Sequence, residues 1–378
     1  MKEKEHTFLS TFIFFCFIID DFGGHLGIRN IAFFLMGIII FIEIFGRNIL
    51  MNEKYLIFYL GSTVCLLLSV MIAISNGAQF LTANRFNFNL YFFIILYILA
   101  RRNYLTIDGY LWAIKFFVIL ILVLFFGRIF NVTLIKNLFK IFSPAIMGEF
   151  KNGLPSVYFK GILEILPATI FFAKRKNIGW ALLCLIALGV APSRFGVFVC
   201  ILFFLIINIK KIYIPIIIGM IFFICINIFK IKVPVLIDFY QIFVFESSGN
   251  SVRFGHLKSI MDLFGENPLY LVFGQGPGSS FYTSGFHAYT DLVEISHFDI
   301  MRRYGILYFS ALNSGLFFLL YKLYKTKREI AKQLMLAIIA HYIVAISNPV
   351  LLSLPFMMLI SISISLLLSE KAYKKQYV

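Results

Sequence analysis

Charged side chains are scarce in this chain of 378 residues: Asp, Glu, Lys and Arg together make up 14% of it, against about 25% in an average soluble domain. Hydrophobic residues make up 61%, where soluble domains have roughly 45–50%. A soluble surface needs more polar side chains than this, and a disordered chain needs fewer apolar ones. The composition therefore excludes both classes and indicates an integral membrane protein.

Cysteine pairs and metal-ligand motifs are also missing. The five cysteines are odd in number, contain no CxxC and all lie inside apolar runs: Cys16, Cys65, Cys184, Cys200 and Cys225. Such cysteines are typical of buried packing residues rather than of disulfides or metal cages. HExxH and GxSxG are absent, and the single Glu294-x-x-His297 falls short of the paired di-iron pattern. We therefore expect neither a metal nor another cofactor.

Acidic residues are outnumbered, with 18 Asp and Glu against 34 Lys and Arg, and the formal net charge is +16. In a soluble protein this excess would suggest nucleic acid. Here the basic residues cluster in short loops between apolar runs, as the positive-inside rule requires of a membrane protein. We therefore expect no nucleic-acid partner.

The apolar runs predict an all-α polytopic membrane protein with about twelve transmembrane helices and a long outer helical loop. The expected spans are 7–20, 31–46, 55–75, 89–100, 109–130, 156–173, 177–191, 195–209, 212–228, 304–321, 333–347 and 350–368. The chain then divides into three regions. Residues 1–228 hold the first nine spans, 229–303 form the outer loop, and 304–378 hold the last three spans and a tail.

Loop charges predict the orientation. With the N-terminus inside, basic clusters at 47–54, 101–102, 174–176, 210–211 and 322–332 all fall on the cytoplasmic side, whereas the short outer loops carry far fewer. Both termini are therefore expected in the cytoplasm. A cleavable signal peptide is the competing interpretation of the first run, but Asp20 and Asp21 follow it instead of small residues, which favours an anchor.

The outer loop has room for a small folded unit. Its residues 251–264 show a helical apolar stripe, with Arg253, His256 and Asp262 on the other face and Asn250 or Ser251 as a cap. This pattern is typical of a helix lying on the membrane surface. A turn-rich stretch with glycines at 274, 276 and 278 follows. Asp291 and Glu294 then form a capping pair that predicts a second helix over 291–303.

Histidines concentrate on the outer side, where His25, His256, His287 and His297 lie. Histidine is the side chain best suited to proton transfer near neutral pH. A solvated surface residue is the ordinary interpretation of any one loop histidine. His297 is the strongest catalytic candidate, because it lies between two acids on a helix that enters a span.

Arginines and glycines supply the candidate binding groups. Two arginines, Arg194 and Arg253, could each bind a phosphate or pyrophosphate through a bidentate guanidinium. Arg194 follows Ser193 in a tight outer turn. Contact with lipid headgroups is the alternative for both, and it is favoured for Arg302. The three glycines form a structural turn or a backbone that a substrate can approach closely. Glu164, inside the sixth span, is either functional or one half of an ion pair with Lys160.

Taken in order, these motifs resemble the O-antigen polymerase and O-antigen ligase superfamily. That pattern has an arginine at an outer span end, an arginine opening a loop helix, a Gly-x-Gly-x-Gly stretch, and a histidine before a Tyr-Gly pair. The matching positions here, within about 185–320, are Arg194, Arg253, Gly274, Gly276, Gly278, His297 and Tyr304-Gly305. Ligase members typically have Asn directly after the histidine. This chain has Phe298, which favours the polymerases.

The resemblance implies a membrane glycosyltransferase that uses glycans linked to undecaprenyl pyrophosphate at the outer face of the plasma membrane. Its expected partners are the bilayer, the lipid-linked glycans and a chain-length regulator. His297 would act as the general base, and Arg194 and Arg253 would stabilise the departing pyrophosphate. The remaining residues expected to bind substrate are Ser193, Gly274, Gly276, Gly278, Glu294, Asp299 and Arg302. A ligase that transfers the glycan to lipid A-core is the nearest alternative, and a twelve-span transporter or flippase is the alternative from another class.

Overall fold

A computed structural model describes residues 2–19, 28–47, 53–130, 132, 147–149, 155–157, 159–191, 193–207 and 248–375. The described helices, in chain order, are α1 (Lys2–Ile19), α2 (Ile28–Arg47), α3 (Glu53–Ser75), α4 (Phe80–Tyr91), α5 (Phe93–Arg101), α6 (Ile107–Ile129), α7 (Ile165–Lys174), α8 (Ile178–Val190), α9 (Arg194–Ile207), α10 (Ser248–Glu266), α11 (Pro268–Phe273), α12 (Ser296–Lys325), α13 (Glu329–Val344) and α14 (Leu354–Lys375). A 3₁₀ helix, Lys160–Glu164, precedes α7.

Two short antiparallel hairpins complete the described structure. Strand β1 (Met147–Glu149) pairs with β2 (Pro155–Val157), and Gly148 lies opposite Ser156. Strand β3 (Phe281–Thr283) pairs with β4 (Ala288–Thr290), and Tyr282 lies opposite Tyr289. Strands β3 and β4 fall in the outer loop expected over 229–303, whereas β2 extends into the sixth expected span, 156–173.

The described helices fit an all-α membrane protein. By length and apolar composition, three of them can cross a membrane: Phe80–Arg101 (α4 with α5), Ile107–Ile129 and Ser296–Lys325. Shorter apolar helices in the described part of the chain are Glu5–Ile19, Leu60–Ser75, Ile178–Val190, Phe195–Ile207 and Leu354–Ser369. Helices therefore lie where eleven of the expected spans fall, and the ninth, 212–228, lies outside the described residues.

The chain forms two compact units that interleave along the sequence. The first comprises Met1–Phe33, Thr106–Phe245 and Leu336–Val344, and the second comprises Phe34–Leu105, Glu246–Met335 and Ala345–Val378. The boundary expected at residue 304 falls inside α12, which is interrupted only by a kink at Gly305.

In the first unit, α1 packs along α6 and α7 packs against α6, α8 and α9. The contact between α1 and α6 is close because Gly109 lacks a side chain: a Cβ there would lie 2.2 Å from the hydroxyl oxygen of Ser10. The Ser10 hydroxyl also accepts from the Thr106 amide at 2.9 Å, and the Thr106 hydroxyl caps α6 by accepting from Gly109. Small and polar residues thus join two apolar helices, as membrane helix packing favours.

The sixth expected span, 156–173, is not one helix. It begins with β2, continues through the 3₁₀ turn and becomes α-helical only at Ile165. Gly161 makes this shape possible, because a Cβ there would lie 2.1 Å from the Ile18 carbonyl oxygen. Every residue from Ile165 to Ala173 is buried, so this segment is an interior element of its unit.

In the second unit, α5 packs on α14, α11 packs on α12, and α3 packs on α4. The helix expected over 89–100 begins earlier, at Phe80. Its polar residues are accommodated because their side chains bond inside the unit. Asn87 donates to the Leu66 carbonyl at 3.2 Å and accepts from the Tyr304 hydroxyl at 2.7 Å.

Candidate active site

The glycine-rich stretch, residues 274–279, is a loop packed against the protein's own backbone, and it is called the glycine loop below. Gly274, Gly276, Gly278 and Gly305 all have positive φ, between 78° and 95°. A Cβ on Gly274 would lie 2.3 Å from the Arg303 carbonyl oxygen, and one on Gly305 would lie 2.1 Å from that of Val272. A Cβ on Gly276 would lie 2.4 Å from the backbone of Ala73. The glycines allow the loop, the kink in α12 and the end of α3 to approach each other.

Main-chain hydrogen bonds hold this loop on α12. The amide of Gln275 donates to the Arg302 carbonyl at 2.6 Å, and the amide of Gly276 donates to the Arg303 carbonyl at 3.0 Å. On the other side of the loop, the Asn76 amide group donates to the Gln275 carbonyl at 2.8 Å and accepts from the Tyr270 hydroxyl at 2.8 Å. The loop is therefore tied to two helices at once.

Arg302 lies inside this arrangement with its side chain fully buried. Its guanidinium donates to the carboxylate of Asp299 twice, at 2.8 and 3.1 Å, to the side-chain oxygen of Gln275 at 2.9 Å, and to the carbonyls of Ser279 and Asp291, each at 2.9 Å. Headgroup contact, which the sequence favours for Arg302, does not occur in this geometry, because these five bonds engage all five N–H donors.

Asp299 also binds a second arginine. The Arg303 guanidinium lies 2.5 Å from the other carboxylate oxygen of Asp299, donates to the Asp291 carbonyl at 3.1 Å, and stacks 3.9 Å from the centre of the Phe86 ring. Burying a carboxylate is costly unless charge partners and hydrogen bonds compensate it. Asp299 is therefore best suited to hold the two arginines in place, and its expected role in binding substrate stays a prediction.

His297 lies in the first turn of α12, five residues before Arg302. It is half-buried, with its ring edge-to-face against Phe309 at 6.2 Å. The preceding residue fixes this helix end: the Ser296 amide donates to the Ala345 carbonyl at 3.2 Å, and its hydroxyl donates to the Asn348 carbonyl at 2.5 Å.

The helix expected over 291–303 begins at Ser296, so the predicted capping pair is wrong. The Asp291 carbonyl is engaged by Arg302 and Arg303, and Glu294 is engaged by Arg253. A local turn, in which the Leu292 amide donates to the Thr290 hydroxyl, takes the place of the first helical turn. Tertiary contacts have overridden a local capping pattern.

Arg253 lies on α10 and reaches the segment that carries His297. Its Nη2 is 3.1 Å from a carboxylate oxygen of Glu294, and the two side chains are 33% and 43% exposed. Among the described residues, the buried Nε of Arg253 has no hydrogen-bond partner. Because exposed ion pairs contribute little stability, an anionic ligand could replace Glu294 at a small cost.

His256, expected on the solvated face of α10, is completely buried. The caps predicted for this helix are also wrong, since it extends from Ser248 to Glu266. Gly255 allows backbone contact with Gly285 in the β3–β4 turn, and this contact encloses the imidazole. Its Nδ1 lies 2.6 Å from the Thr283 hydroxyl. Burial lowers the pKa of His256, although the charges of Glu294 and Asp299 oppose the shift.

Ser193 and Arg194 lie in the first unit, at the start of α9. The Ser193 carbonyl accepts from the Val197 amide at 3.0 Å, which makes Ser193 the residue that begins the helix. Its hydroxyl is buried and has no hydrogen-bond partner among the described residues. The Arg194 side chain lies outside the part of the chain that the structure describes, so its predicted role stays a prediction.

Glu164 and His341 form a buried pair in the first unit. The Nδ1 of His341 lies 3.9 Å from a carboxylate oxygen of Glu164, and both side chains are almost fully buried. The sequence suggests Lys160 as the partner of Glu164, but the Lys160 side chain lies outside the described part. Within that part, no group of three or more His, Cys, Asp or Glu residues is placed to hold a metal ion.

Sequence reasoning missed several residues that organise the site. Asn76 bonds to both Tyr270 and Gln275 between α3 and the glycine loop, and Asn348 supports the start of α12. These are ordinary polar residues at turns, separated by up to 199 positions along the chain. No motif in one sequence signals such pairs.

Comparison of the chain with family models, with curated proteins and with solved structures finds no match.

Proposed function

We propose that the chain is a membrane glycosyltransferase, and more specifically one of the O-antigen polymerase type. It would polymerise oligosaccharide repeat units carried on undecaprenyl pyrophosphate, either O-antigen or a similar surface polysaccharide. One observation carries the proposal: Arg253 is bonded to Glu294, three residues before His297. The guanidinium of Arg253 is suited to bind a diphosphate, and the imidazole of His297 is suited to proton transfer. The bond to Glu294 connects the segments that carry these two groups.

The reaction would be a displacement at the anomeric carbon of the donor sugar. A hydroxyl of the acceptor glycan forms the new C–O bond while His297 accepts its proton. The bond from the anomeric carbon to the pyrophosphate oxygen breaks, and its electron pair leaves with undecaprenyl pyrophosphate. Arg253 would stabilise the negative charge that grows on this leaving group, and the resemblance implies the same role for Arg194.

The contacts around Arg253 support its role as a ligand for the pyrophosphate. Its present partner, Glu294, is partly exposed and can be displaced, and the Nε of Arg253 is a donor without a partner among the described residues. Arg302 differs, because all its donors are already engaged by protein oxygens. The ligand would therefore bind to Arg253 rather than to Arg302.

The resemblance implies the bacterial inner membrane as the location, and the loop charges favour an outer loop that faces the periplasm. Two contacts support the cytoplasmic assignments. Arg102 bonds Glu43 at 3.1 Å, which joins the ends of α5 and α2. Arg175 bonds Asp108 at 2.6 Å, which joins the end of α7 to the start of α6. In each unit, helix ends assigned to the same side of the membrane lie together.

Reporter fusions test this topology. Fusions after residues 176, 211 and 328 should report the cytoplasm, because basic clusters are retained there. Fusions within 235–295 should report the periplasm. A pair of reporters active on opposite sides, alkaline phosphatase and green fluorescent protein, provides the control at each position. A cytoplasmic signal from 235–295 would contradict both the orientation and the proposed active site.

Silver-stained lipopolysaccharide from a deletion strain tests the function. Loss of the long ladder with a single repeat unit retained is the result expected of a polymerase. Loss of every repeat unit from lipid A-core would indicate a ligase or a flippase instead. A transporter or flippase is the second candidate, because the buried Glu164–His341 pair is the kind of intramembrane ionisable site that transport proteins use.

The two proposed pyrophosphate ligands provide a direct test. Arg194→Ala and Arg253→Ala should each lower polymer formation by about one to two decades, since a lost charge-assisted contact costs about 1.5–3 kcal/mol. Lysine should restore little at either position, because an ammonium lacks the planar fork. Purified variants are assayed with lipid-linked repeat units.

Lys258→Ala is the matched control for Arg253→Ala, since it removes an exposed cation from the same helix. It should leave the rate unchanged. Normal ladders in both arginine variants, at equal protein levels, would exclude these residues from the mechanism.

A further inference from the structure

Arg302 is a buried cation that the transfer reaction does not use. Among the residues that the structure describes, it is the largest fully buried one by volume, and its guanidinium stacks 4.5 Å from the centre of the Phe281 ring. A buried charge is tolerated only when it is paired and hydrogen-bonded. Arg302 meets both conditions through Asp299, one turn earlier on the same helix, and through three further acceptors.

These acceptors belong to three different segments. Gln275 and Ser279 lie at the two ends of the glycine loop, Asp291 belongs to the segment that leads into α12, and Asp299 belongs to α12 itself. A single side chain thus connects the loop, the approach to the helix and the helix.

The backbone at the same position completes the connection. A helical carbonyl ordinarily accepts from the amide four residues later. The non-helical conformation of Gly305 interrupts this pattern, and the carbonyls of Arg302 and Arg303 accept from the amides of Gln275 and Gly276 in the loop. The kink therefore makes the first part of α12, residues 296–304, a short segment whose position depends on the loop.

His297 lies on this short segment, and Arg253 is bonded to Glu294 just before it. We propose that Arg302 is a positioning residue, which fixes the glycine loop and the first part of α12 so that His297 and Arg253 face the same substrate, without touching that substrate itself. This inference rests on the proposed function for its catalytic consequence. Its structural consequence, that Arg302 fixes the position of the glycine loop, can be measured without an activity assay.

Ser279→Cys supplies the structural probe. Ser279 is completely buried, and its carbonyl accepts from Arg302. In the otherwise unchanged chain, a thiol at this position should react slowly with a membrane-impermeant maleimide. Adding Arg302→Gln should accelerate labelling at least tenfold, because the loop loses its bonds to the guanidinium. The chain without Ser279→Cys measures the background from the native cysteines.

The matched control is Ser279→Cys with Arg253→Ala. It removes an arginine that the proposal assigns to the ligand, so labelling should stay slow while polymer formation falls. Unchanged labelling in the Arg302→Gln variant, combined with lost activity, would overturn the proposal, because Arg302 would then act on the substrate. If the unchanged chain never polymerises glycans and Arg302→Gln still accelerates labelling, the inference that Arg302 fixes the loop stands. Only the proposed function is then contradicted.

The catalytic consequence has its own measurement. Arg302→Gln should lower kcat per folded molecule by roughly 100-fold, the scale of a misplacement of about 1 Å, and leave KM within a few fold. A purely structural role would reduce the amount of folded protein and leave kcat per folded molecule unchanged, which would also overturn the proposal. If Arg302→Gln fails to accumulate, Asp299→Asn tests the proposal in its place, because it weakens two of the five hydrogen bonds of the Arg302 guanidinium. This variant should give an intermediate labelling rate and an intermediate kcat.

Discussion

His297→Ala should reduce polymer formation by about 10²–10⁴-fold, the usual contribution of a general base. The imidazole lies in the first turn of α12, half-buried and held by the bonds of Ser296 to the 345–348 segment. Under the proposed mechanism, the variant lacks the group that takes the proton of the acceptor hydroxyl in the transition state. Cells carrying the variant should accumulate single repeat units, seen as one band above lipid A-core after silver staining.

A second variant separates proton transfer from positioning. His297→Gln keeps a hydrogen-bonding side chain but cannot accept a proton at these pH values, so it should be nearly as inactive as alanine. Recovery of most activity would mean that His297 only orients the acceptor sugar. Full activity of His297→Ala would exclude it as the base, and Glu294 would become the next candidate. His287→Asn is the control, because His287 is exposed and asparagine tolerates its positive φ.

Under the proposed mechanism, the rate of the purified protein should fall at low pH, because a protonated imidazole cannot accept the proton of the acceptor hydroxyl. His256 contributes a separate effect on stability. Burial lowers its pKa in the folded chain, so its contribution to stability is present above the unfolded value of about 6.5 and is lost as the pH falls through the folded pKa. Measuring the folded fraction at each pH distinguishes the two effects.

Hydropathy predicted the positions of the helices well because burial in a membrane demands long apolar runs. It failed where a helix is neither uniformly apolar nor continuous. The helix that begins at Phe80 contains asparagines, which bond inside the unit. The segment before Ile165 is apolar enough to span, yet contact of Gly161 with Ile18 favours a 3₁₀ turn there.

The site was only partly predictable, for a related reason. Residue type identified His297 and Arg253 as candidates, since few side chains suit proton transfer or phosphate binding. The contacts that place them depend on distant partners, such as Asn76 with Gln275. The burial of His256 could not be predicted either, because it depends on the contact of two glycines 30 residues apart, Gly255 and Gly285.

The packing around the glycine loop distinguishes two interpretations that the sequence left open. One is a structural turn, and the other is a backbone that a substrate approaches closely. At Gly274 and Gly305 the space of a side chain is taken by the protein's own carbonyl groups, at 2.3 and 2.1 Å. Backbone atoms, unlike the end of a flexible side chain, cannot move aside without disturbing their hydrogen bonds. The structure therefore favours the turn, and the consequence can be measured.

Gly305→Ala should cause a large loss of folded protein. Positive φ costs a residue with a Cβ about 1–2 kcal/mol, and overpacking against the Val272 carbonyl adds about 1–3 kcal/mol. A total of this size is a large fraction of the free energy of unfolding of most proteins. Gly274→Ala should behave in the same way. The measurement is the amount of monodisperse protein after detergent extraction, together with its thermal unfolding midpoint.

Gly315→Ala is the matched control, since it lies on the same helix and a Cβ there would meet nothing within 4 Å. It should leave the amount of folded protein unchanged or raise it slightly, because alanine stabilises a helix by about 1 kcal/mol relative to glycine.

Normal folding of the Gly274→Ala and Gly305→Ala variants would contradict the prediction. If Gly274→Ala and Gly305→Ala accumulate normally, unfold at the usual temperature and yet make no polymer, then the loop adjusts to the added methyl groups. The glycines would in that case serve the approach of the substrate, and the interpretation as a structural turn would be wrong.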